Sequence, residues 1–236
     1  MESIVLSKKY LDTLLCFTGT YSDIYYDKSK VYKIFSNELN EELINELKYL
    51  NYLNLKEITN PLDLIIINNQ IKGFSMKYFN GFRFDFYTEK YSKKIELLKK
   101  AKEQIQNIHR NNIIIGDLHD GNILYNEKQV IFCDPDGLLF NKKVKRQNIW
   151  EKEYYDYFKE VDKRCDIYLF NILTLALIQK RSWSTIKHMD IGFKNNELSK
   201  ILSFINDFKE SNYDCSYMID YLPENEKEFK KLTKSF

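Results

Sequence analysis

The sequence predicts an α+β fold in which a small, β-rich part at residues 1–78 precedes a larger and mainly helical part at residues 79–236. In the first part, short aromatic and β-branched runs alternate with turn residues, which is the pattern of antiparallel strands. In the second part, longer segments carry apolar residues three and four positions apart, which is the pattern of packed helices. No repeat or low-complexity linker interrupts the chain, so we expect two lobes with a boundary near residue 78.

The β-rich part is predicted to contain several short strands and a hairpin. Over Leu14–Phe35, consecutive antiparallel strands are separated by turns at Gly19 and Asp27–Lys30. Over Pro61–Met76, two apolar runs flank the polar turn Asn68–Gln70, which predicts a β-hairpin.

Three segments predict helices. Asn37–Leu53 places leucines at spacings of three and four, with Ser36 or Asn37 as the N-cap. Tyr91–His109 is amphipathic as well. Ile167–Ile178 is apolar on nearly every face, as a helix buried on all sides would be.

The composition limits the classes of partner. Hydrophobic residues make up 44% of the 236-residue chain, which is enough for a core. Charged residues make up 30% but nearly cancel, with a net charge of +2, so no strong field favours nucleic acid or a membrane surface. The sequence leaves the oligomeric state open.

The cysteines and the apolar runs bear on the compartment. Four cysteines are widely spaced and form no C-x-x-C pair: Cys16, Cys133, Cys165 and Cys215. They predict buried free thiols in a reducing cytoplasm, not disulfides or a zinc site. Glu2 breaks the basic start of a signal peptide, and Leu169–Ile178, the longest apolar stretch, is too short to span a bilayer.

Three polar side chains stand between apolar, strand-like runs in the middle of the chain. Asp117 and Asn122 lie in one short polar segment, and Asp134 follows the predicted strand at Val130–Phe132. This bracketing is expected to fix them on short loops at the edge of a core. There, carboxylate and amide oxygens can bind a hard cation, and a carboxylate can orient a hydroxyl. Alternatively, they are turn-capping residues.

The spacing Asp-x-x-x-x-Asn, followed after an apolar strand by an acidic turn, resembles the catalytic and metal loops of protein kinases and related small-molecule kinases. The resemblance implies a bilobal protein-kinase-like fold with a shortened C-lobe, and ATP and Mg²⁺ as cofactors. It implies that Asp117 accepts or orients the proton of a substrate hydroxyl. It also implies that Asn122 holds magnesium and that Asp134 bridges magnesium to the nucleotide phosphates.

Upstream, Val31–Ile34 resembles the strand that carries the phosphate-binding lysine of these kinases, here Lys33. Glu46 lies at the place of the helical glutamate that pairs with this lysine, and Glu42 is the second choice. The resemblance implies an ion pair that holds the ammonium group against the phosphates. Alternatively, both residues are solvated surface charges.

Further matches concern the nucleotide. Ser75–Phe79 resembles the inter-lobe hinge, with Met76 at the gatekeeper place and backbone groups of Lys77 and Phe79 facing adenine. The loop that covers the phosphates is rich in glycine in this family, but only Gly19 stands in the matching segment here.

Downstream, Asp166 resembles the aspartate that begins the central helix of the larger kinase lobe. It is expected to accept hydrogen bonds from the backbone around Ile115 and Gly116, which would support the catalytic loop. An ordinary N-cap aspartate is the alternative, and both can hold together.

Two residues of the catalytic and metal loops have two interpretations each. Asp136 follows Pro135, which stiffens the turn, and is either a second metal ligand or a turn cap. His119 is either a contact to phosphate or a residue that packs the loop.

Nothing in the sequence points to activation by phosphorylation at serine or threonine. Gly116 replaces the arginine with which switched kinases grip a phosphorylated loop, and the stretch from Leu138 to Asp166 holds no Ser or Thr. Activity without loop phosphorylation is therefore expected.

The resemblance as a whole predicts a kinase that transfers the γ-phosphate of ATP to a hydroxyl acceptor, in first place a protein serine or threonine. Gly116–His119 is equally typical of aminoglycoside or sugar kinases, so a small-molecule acceptor is the first alternative. A pseudokinase or nucleotide-binding module is the second, because the phosphate-covering loop is poor in glycine. A metal-dependent hydrolase built on Asp117, His119 and Asp134 is a more distant one.

Overall fold

The computed structural model describes residues 1–85, 89–140, 162–179 and 217–234. Its regular elements are, in chain order, β1 (Glu2–Val5), α1 (Lys8–Leu11), β2 (Leu15–Thr18), β3 (Ser22–Tyr26), β4 (Lys30–Phe35), α2 (Glu41–Leu53), β5 (Pro61–Ile67), β6 (Gln70–Lys77), β7 (Phe82–Arg83), α3 (Tyr91–Arg110), β8 (Ile113–Ile114), β9 (Ile123–Tyr125), β10 (Val130–Phe132), β11 (Leu139–Phe140), α4 (Lys163–Gln179) and α5 (Glu226–Lys234), with 3₁₀ turns at Asp120–Asn122, Pro135–Gly137 and Met218–Tyr221. The fold class is α+β.

The chain divides into two compact units. The first comprises Met1–Gly81 and Ile131–Asp136, and the second comprises Phe82–Val130 and Gly137–Phe236. The short segment Ile131–Asp136 lies in the first unit because Phe132 is bonded to a loop of that unit. Its N–H donates to the carbonyl of Glu57 at 2.7 Å, and its carbonyl accepts from the N–H of Thr59 at 2.8 Å.

A six-stranded sheet with the order β1-β5-β6-β4-β3-β2 forms the first unit. Only β1 and β5 pair in parallel, and the other ladders are antiparallel. The predicted antiparallel strands over Leu14–Phe35 are confirmed, and so is the hairpin over Pro61–Met76. The hairpin turns on Asn68 and Asn69, whose φ angles of 51° and 63° are both positive, as a type I′ turn requires.

The helix α2 corrects the predicted bounds, since it begins at Glu41 and not at Asn37. Its N-cap is Asn40, whose side chain accepts from the N–H of Leu43 at 2.8 Å, so neither Ser36 nor Asn37 caps it. The reason lies one residue earlier. The N–H of Leu39 donates to the carbonyl of Ile71 at 2.8 Å, which ties this residue to the sheet and delays the start of the helix.

The core of the first unit lies between α2 and the sheet. It consists of buried side chains from β4, α2, β5 and β6 and from the residue before the N-cap of α2: Phe35, Leu39, Leu47, Leu64, Phe74 and Met76. The apolar face of α2 thus packs against β5, and β4, the strand that carries Lys33, contributes Phe35 to the same core.

In the second unit, the helices α3 and α4 pack together and against β8. The prediction of α3 is confirmed, with its end one residue later than expected. The helix α4 begins at Lys163, four residues before the predicted start, so Asp166 lies inside its first turn and its interpretation as an N-cap is wrong. Short ladders join β8 to β11 and β7 to β9.

The cysteines correct one expectation. Cys165 is buried as predicted and Cys133 is half-buried, but Cys16 is exposed because β2 is an edge strand with all four residues exposed. Cys215 lies outside the described residues. Within the described ranges, no helix is both long and apolar enough to cross a membrane.

Candidate active site

Lys33 is the centre of a buried ionic cluster in the first unit. It lies on β4 between Ile24 of β3 and Phe74 of β6, and its side chain is 8% exposed. Its ammonium group donates to Asp136 Oδ1 at 2.6 Å and to Asp134 Oδ1. The lysine of the predicted phosphate-binding strand thus contacts both carboxylates of the predicted metal turn.

Gly73 on β6 allows this position of Lys33, and sequence reasoning missed it. A methyl group on Gly73 would lie 2.1 Å from the carbonyl oxygen of Lys33 and 3.0 Å from Cδ1 of Ile34. Any side chain there would push β4 away from β6. The signal available in the sequence was a glycine inside an apolar strand, which indicates a close approach of another backbone.

The cluster shifts the acid–base equilibria of its members. Burial raises the pKa of Asp136 to about 6, and the negative charge of Asp134 adds to the rise, although Lys33 opposes it. Burial alone would lower the pKa of Lys33, but Asp136 and Asp134 outweigh it and raise that pKa. The protonation of Lys33 and of Asp136 therefore depends on the charges of the other members of the cluster.

Asp134 adopts a backbone conformation that is rare for a residue with a side chain. Its φ is 70°, in the left-handed region, and it is followed by the 3₁₀ turn Pro135–Gly137. Its side chain is 32% exposed, whereas that of Asp136 is 0% exposed. Asp134, the residue with the strained backbone, is thus also the carboxylate that solvent or a ligand can reach.

Glu46, the predicted partner of Lys33, is half-buried on α2. The ammonium group of Lys33 lies on Asp134 and Asp136 in this structure. Its pairing with Glu46, and with Glu42 as second choice, stays a prediction for the nucleotide-bound protein.

In the second unit, a buried carboxylate holds the backbone that leads to Asp117. Asp166 accepts from the N–H of Ile115 at 2.7 Å and from that of Gly116 at 2.8 Å. The predicted contact is therefore confirmed. Asp166 also lies 2.8 Å from Nε2 of the buried His109, a residue to which the sequence had given no role. A histidine near the end of an amphipathic helix carries no signal for such a contact.

Gly116 needs to be glycine in this loop. Its φ is 76°, and a methyl group on it would lie 2.9 Å from Cδ1 of Leu139. The ladder that pairs Leu139 with Ile114 holds the leucine there. An arginine at this place would be strained in backbone and in packing.

Asp117 and Asn122 are hydrogen-bonded to each other. The side-chain amide of Asn122 donates to the carbonyl of Asp117 at 3.0 Å and to its Oδ2 at 3.2 Å. The 3₁₀ turn Asp120–Asn122 closes the loop and returns the chain to β9. The spacing Asp-x-x-x-x-Asn thus corresponds to one closed turn.

His119 stands beside this pair. Its Nδ1 accepts from the N–H of Gly121 at 3.0 Å, which makes Nε2 the nitrogen that carries the proton in the neutral ring. Nε2 lies 3.8 Å from Asp117 Oδ2 and Nδ1 lies 3.7 Å from Asp120 Oδ1. His119 therefore packs the loop, and its contact with phosphate stays a prediction.

The residues expected to bind the nucleotide lie on the sheet and its turns. Met76 is buried in the core, Lys77 is exposed, and Phe79 is half-buried just after β6. Gly19 lies in the turn between β2 and β3, where a methyl group would lie 2.7 Å from the carbonyl oxygen of Ser22. Gly19 is thus required by the turn itself, and nucleotide binding by these four residues stays a prediction.

The residues proposed as metal ligands have suitable chemistry. Asp134 and Asp136 already converge on one cation, the ammonium group of Lys33. Asn122, which belongs to the second unit, has a side-chain amide oxygen. Carboxylate and amide oxygens are the donors that magnesium prefers. Within the described residues, no group of three or more His, Cys, Asp or Glu side chains could hold a metal ion by itself.

A scan against protein-family models found none that matches the chain, and a search of curated proteins found no significant match. Function is therefore inferred from the residues and their contacts.

Proposed function

We propose that this chain is an ATP- and magnesium-dependent phosphotransferase with a protein-kinase-like fold, which moves the γ-phosphate of ATP to a hydroxyl group. The acceptor that we put first is a protein serine or threonine, because the segment Asp166–Tyr168 resembles that of protein kinases. A small molecule with a hydroxyl group is the second candidate, because Gly116–His119 is equally typical of small-molecule kinases.

One observation carries the proposal, namely the anchoring of the loop that leads to Asp117. The two N–H groups immediately before Asp117 both donate to the carboxylate of Asp166, which is 0% exposed. The backbone that enters Asp117 is therefore fixed by a core helix, although the loop itself is partly open to solvent. A catalytic base that is held in place before the substrate arrives lowers the entropic cost of reaction.

Asp117 would accept or orient the proton of the acceptor hydroxyl. Its side chain is 34% exposed, so a substrate can reach it. The amide of Asn122 occupies Oδ2, whereas Oδ1 accepts no hydrogen bond from the described residues. Oδ1 is thus the oxygen that would face the hydroxyl.

Asn122 would serve both the loop and the cation. Its Nδ2 is used by Asp117, and its Oδ1 accepts no hydrogen bond within the described parts of the chain. That oxygen would hold magnesium, as would Asp134 with Asp136 as second carboxylate. Magnesium, when bound, neutralises charge on the transferred phosphoryl group.

Lys33 would bind the α- and β-phosphates. Its ammonium group is held by Asp134 and Asp136, which keeps it charged. The cluster therefore keeps a fixed cation on β4 at the place where the resemblance puts the phosphates.

The proposal predicts that Asp134→Asn weakens magnesium-dependent nucleotide binding. Loss of a charged ligand should lower the affinity for ATP with magnesium by about 10- to 100-fold. Isothermal titration with and without magnesium measures this effect. Asp12→Asn, a change of an exposed aspartate in the same unit, is the matched control and should bind as the parent does. Equal affinities of the Asp134 variant and the parent would contradict the assigned role.

The acceptor is tested by transfer from γ-labelled ATP. Protein mixtures are compared with aminoglycosides and sugars under the same conditions. Label in protein serine or threonine supports the first candidate, and label in a small molecule supports the second. Nucleotide binding without transfer or hydrolysis would identify a binding module and contradict the proposed activity.

A further inference from the structure

The loop that carries Asp117 has an exposed arginine next to it that the proposed function does not use. Arg83 lies on β7, which pairs with β9, and it faces Leu124 in that ladder. Because β7 has only two residues, its backbone pairing contributes little stability. Its pairing nevertheless brings Arg83 to the 3₁₀ turn Asp120–Asn122, which packs against β7.

Gly121 is the point where Arg83 and the loop meet. A methyl group on Gly121 would lie 3.2 Å from Nη2 of Arg83, and 2.6 Å and 2.9 Å from Cε1 and Nδ1 of His119. The missing side chain of Gly121 thus leaves room for both the guanidinium group of Arg83 and the imidazole ring of His119. Alanine would force at least one of them away.

Arg83 has an unused charge. Its side chain is exposed, and in the described part of the chain it forms no hydrogen bond and no ion pair. Asp117 and Asp120 are the nearby carboxylates of the loop, and both lie against His119, at 3.8 Å and 3.7 Å, and not against Arg83. The five donors of the guanidinium fork therefore remain available to a ligand.

We infer that the hydroxyl acceptor of this protein carries a phosphate or carboxylate group, which Arg83 binds next to Asp117. This inference rests on the proposed function. His119 Nε2 lies 3.8 Å from Asp117 Oδ2, and the Gly121 position that the His119 ring adjoins also adjoins Nη2 of Arg83. Asp117 and Arg83 therefore both lie next to the segment His119–Gly121, where one ligand can contact both. An anionic ligand at this loop needs a cation, since Asp117 and Asp120 would otherwise repel it. Arginine binds phosphate and carboxylate in a bidentate manner.

The test compares matched pairs of compounds that differ only in the anionic group. The pairs are glycerol 3-phosphate with glycerol, N-acetylserine with N-acetylserinamide, and a serine peptide flanked by aspartates with the same peptide flanked by asparagines. Binding to the full chain is measured by titration calorimetry, with and without magnesium and a non-hydrolysable ATP analogue. This readout does not require turnover, so it remains informative if the proposed activity is wrong.

At least one anionic compound is expected to bind the parent more tightly than its neutral counterpart. Arg83→Gln should lower that affinity by about 10- to 100-fold, since a charge-assisted contact is lost. Arg110→Gln, which removes the same charge from an exposed arginine at the end of α3, should bind as the parent does. Gly121→Ala keeps the charge but displaces the side chains, and it should also weaken binding. Thermal unfolding checks that each variant is folded.

Several results would overturn the inference. One is an absence of preference for any anionic compound in the parent. A second is an affinity in Arg83→Gln equal to that of the parent. A third is a parallel loss of affinity for the ATP analogue, which would show that Arg83 contacts the nucleotide. If the parent prefers an anionic compound through Arg83 but never transfers phosphate, the proposed activity fails and the anion site stands. The compound pair whose anionic member binds more tightly shows whether the acceptor is a small molecule or an acidic peptide.

Discussion

At Lys33, one ammonium group holds two carboxylates that differ in their surroundings. Asp136 is fully buried, whereas Asp134 is partly exposed and has a φ of 70°. Burial makes the charged form of Asp136 costly, so its pKa rises to about 6. Asp134 is therefore better placed than Asp136 to release Lys33 and to contact a metal ion and nucleotide, as the proposed function requires.

The raised pKa predicts how stability depends on pH. Between about pH 4 and pH 6 the folded protein holds the Asp136 proton more tightly than the unfolded chain does, so this group contributes stability at low pH that is lost as pH rises through 6. Asp136→Asn removes the titration. The stability of the variant relative to the parent should therefore rise by about 1–3 kcal/mol from pH 4 to pH 7.

Urea unfolding in metal-free buffer at several pH values measures this difference. Asp12→Asn serves as the control, because that aspartate is exposed. A constant difference between the Asp136 variant and the parent over the whole range would show that Asp136 titrates normally.

The anchoring of one loop by one helix is the central feature of the second unit. The first turn of α4 carries Asp166, which joins His109 of α3 to the backbone after β8. Three donors depend on one carboxylate. A substitution of Asp166 should therefore disturb both the packing of the helices and the position of Asp117.

Asp166→Asn is predicted to lower the free energy of unfolding by about 2–4 kcal/mol, since an amide N–H₂ would replace one acceptor and oppose a buried donor. Urea unfolding measures the loss. The control Asp220→Asn changes an exposed ion pair with Lys102 in the same unit and should cost less than about 1 kcal/mol. Similar losses in the two variants would contradict the anchoring role of Asp166.

Much of the first unit was predictable because its signals are local. The strands over Leu14–Phe35 and the hairpin turn at Asn68 and Asn69 follow from turn residues and alternation. The strand β1 was missed, since four largely exposed residues give no pattern and its parallel partner β5 lies far along the chain. The start of α2 was misplaced because a bond from Leu39 to the distant Ile71 decided it.

In the candidate site, too, contacts between residues far apart in the sequence were the ones that could not be predicted. The contact of Asp166 with the loop was predicted from a motif and is confirmed. The contacts of Lys33 with Asp134 and Asp136 join residues about a hundred positions apart, and no local pattern reveals which acidic group a strand lysine meets. The glycine at position 73 inside an apolar strand does indicate a close backbone approach, but it does not reveal that the approaching residue is Lys33.

Each compact unit carries one of the two groups of candidate side chains. Lys33, Asp134 and Asp136 belong to the first unit, and Asp117 and Asn122 belong to the second. The proposed reaction needs both groups. The prediction about activation concerns the stretch from Leu138 to Asp166. Residues 141–161 of this stretch lie outside the described residues.

Activity is predicted not to depend on phosphorylation of that stretch. Gly116 offers no cation for a phosphate, and its φ of 76° and the contact with Leu139 make arginine unsuitable there. Tyrosines such as Tyr154, Tyr155 and Tyr157 are the remaining acceptors in the stretch. Treatment with a broad phosphatase, followed by mass spectrometry, should leave the rate of ATP turnover unchanged. A large fall that follows the loss of phosphate from one tyrosine would show a switch.

The most direct test of the proposed function is the turnover of γ-labelled ATP by the parent and by Asp117→Asn. The parent should release or transfer the label only with magnesium. The variant should bind ATP with nearly the affinity of the parent and lose at least about 99% of the turnover, because a well-placed base contributes roughly a hundredfold or more to rate. Turnover by the variant equal to that of the parent, or none by the parent with magnesium and a full panel of acceptors, would contradict the proposal.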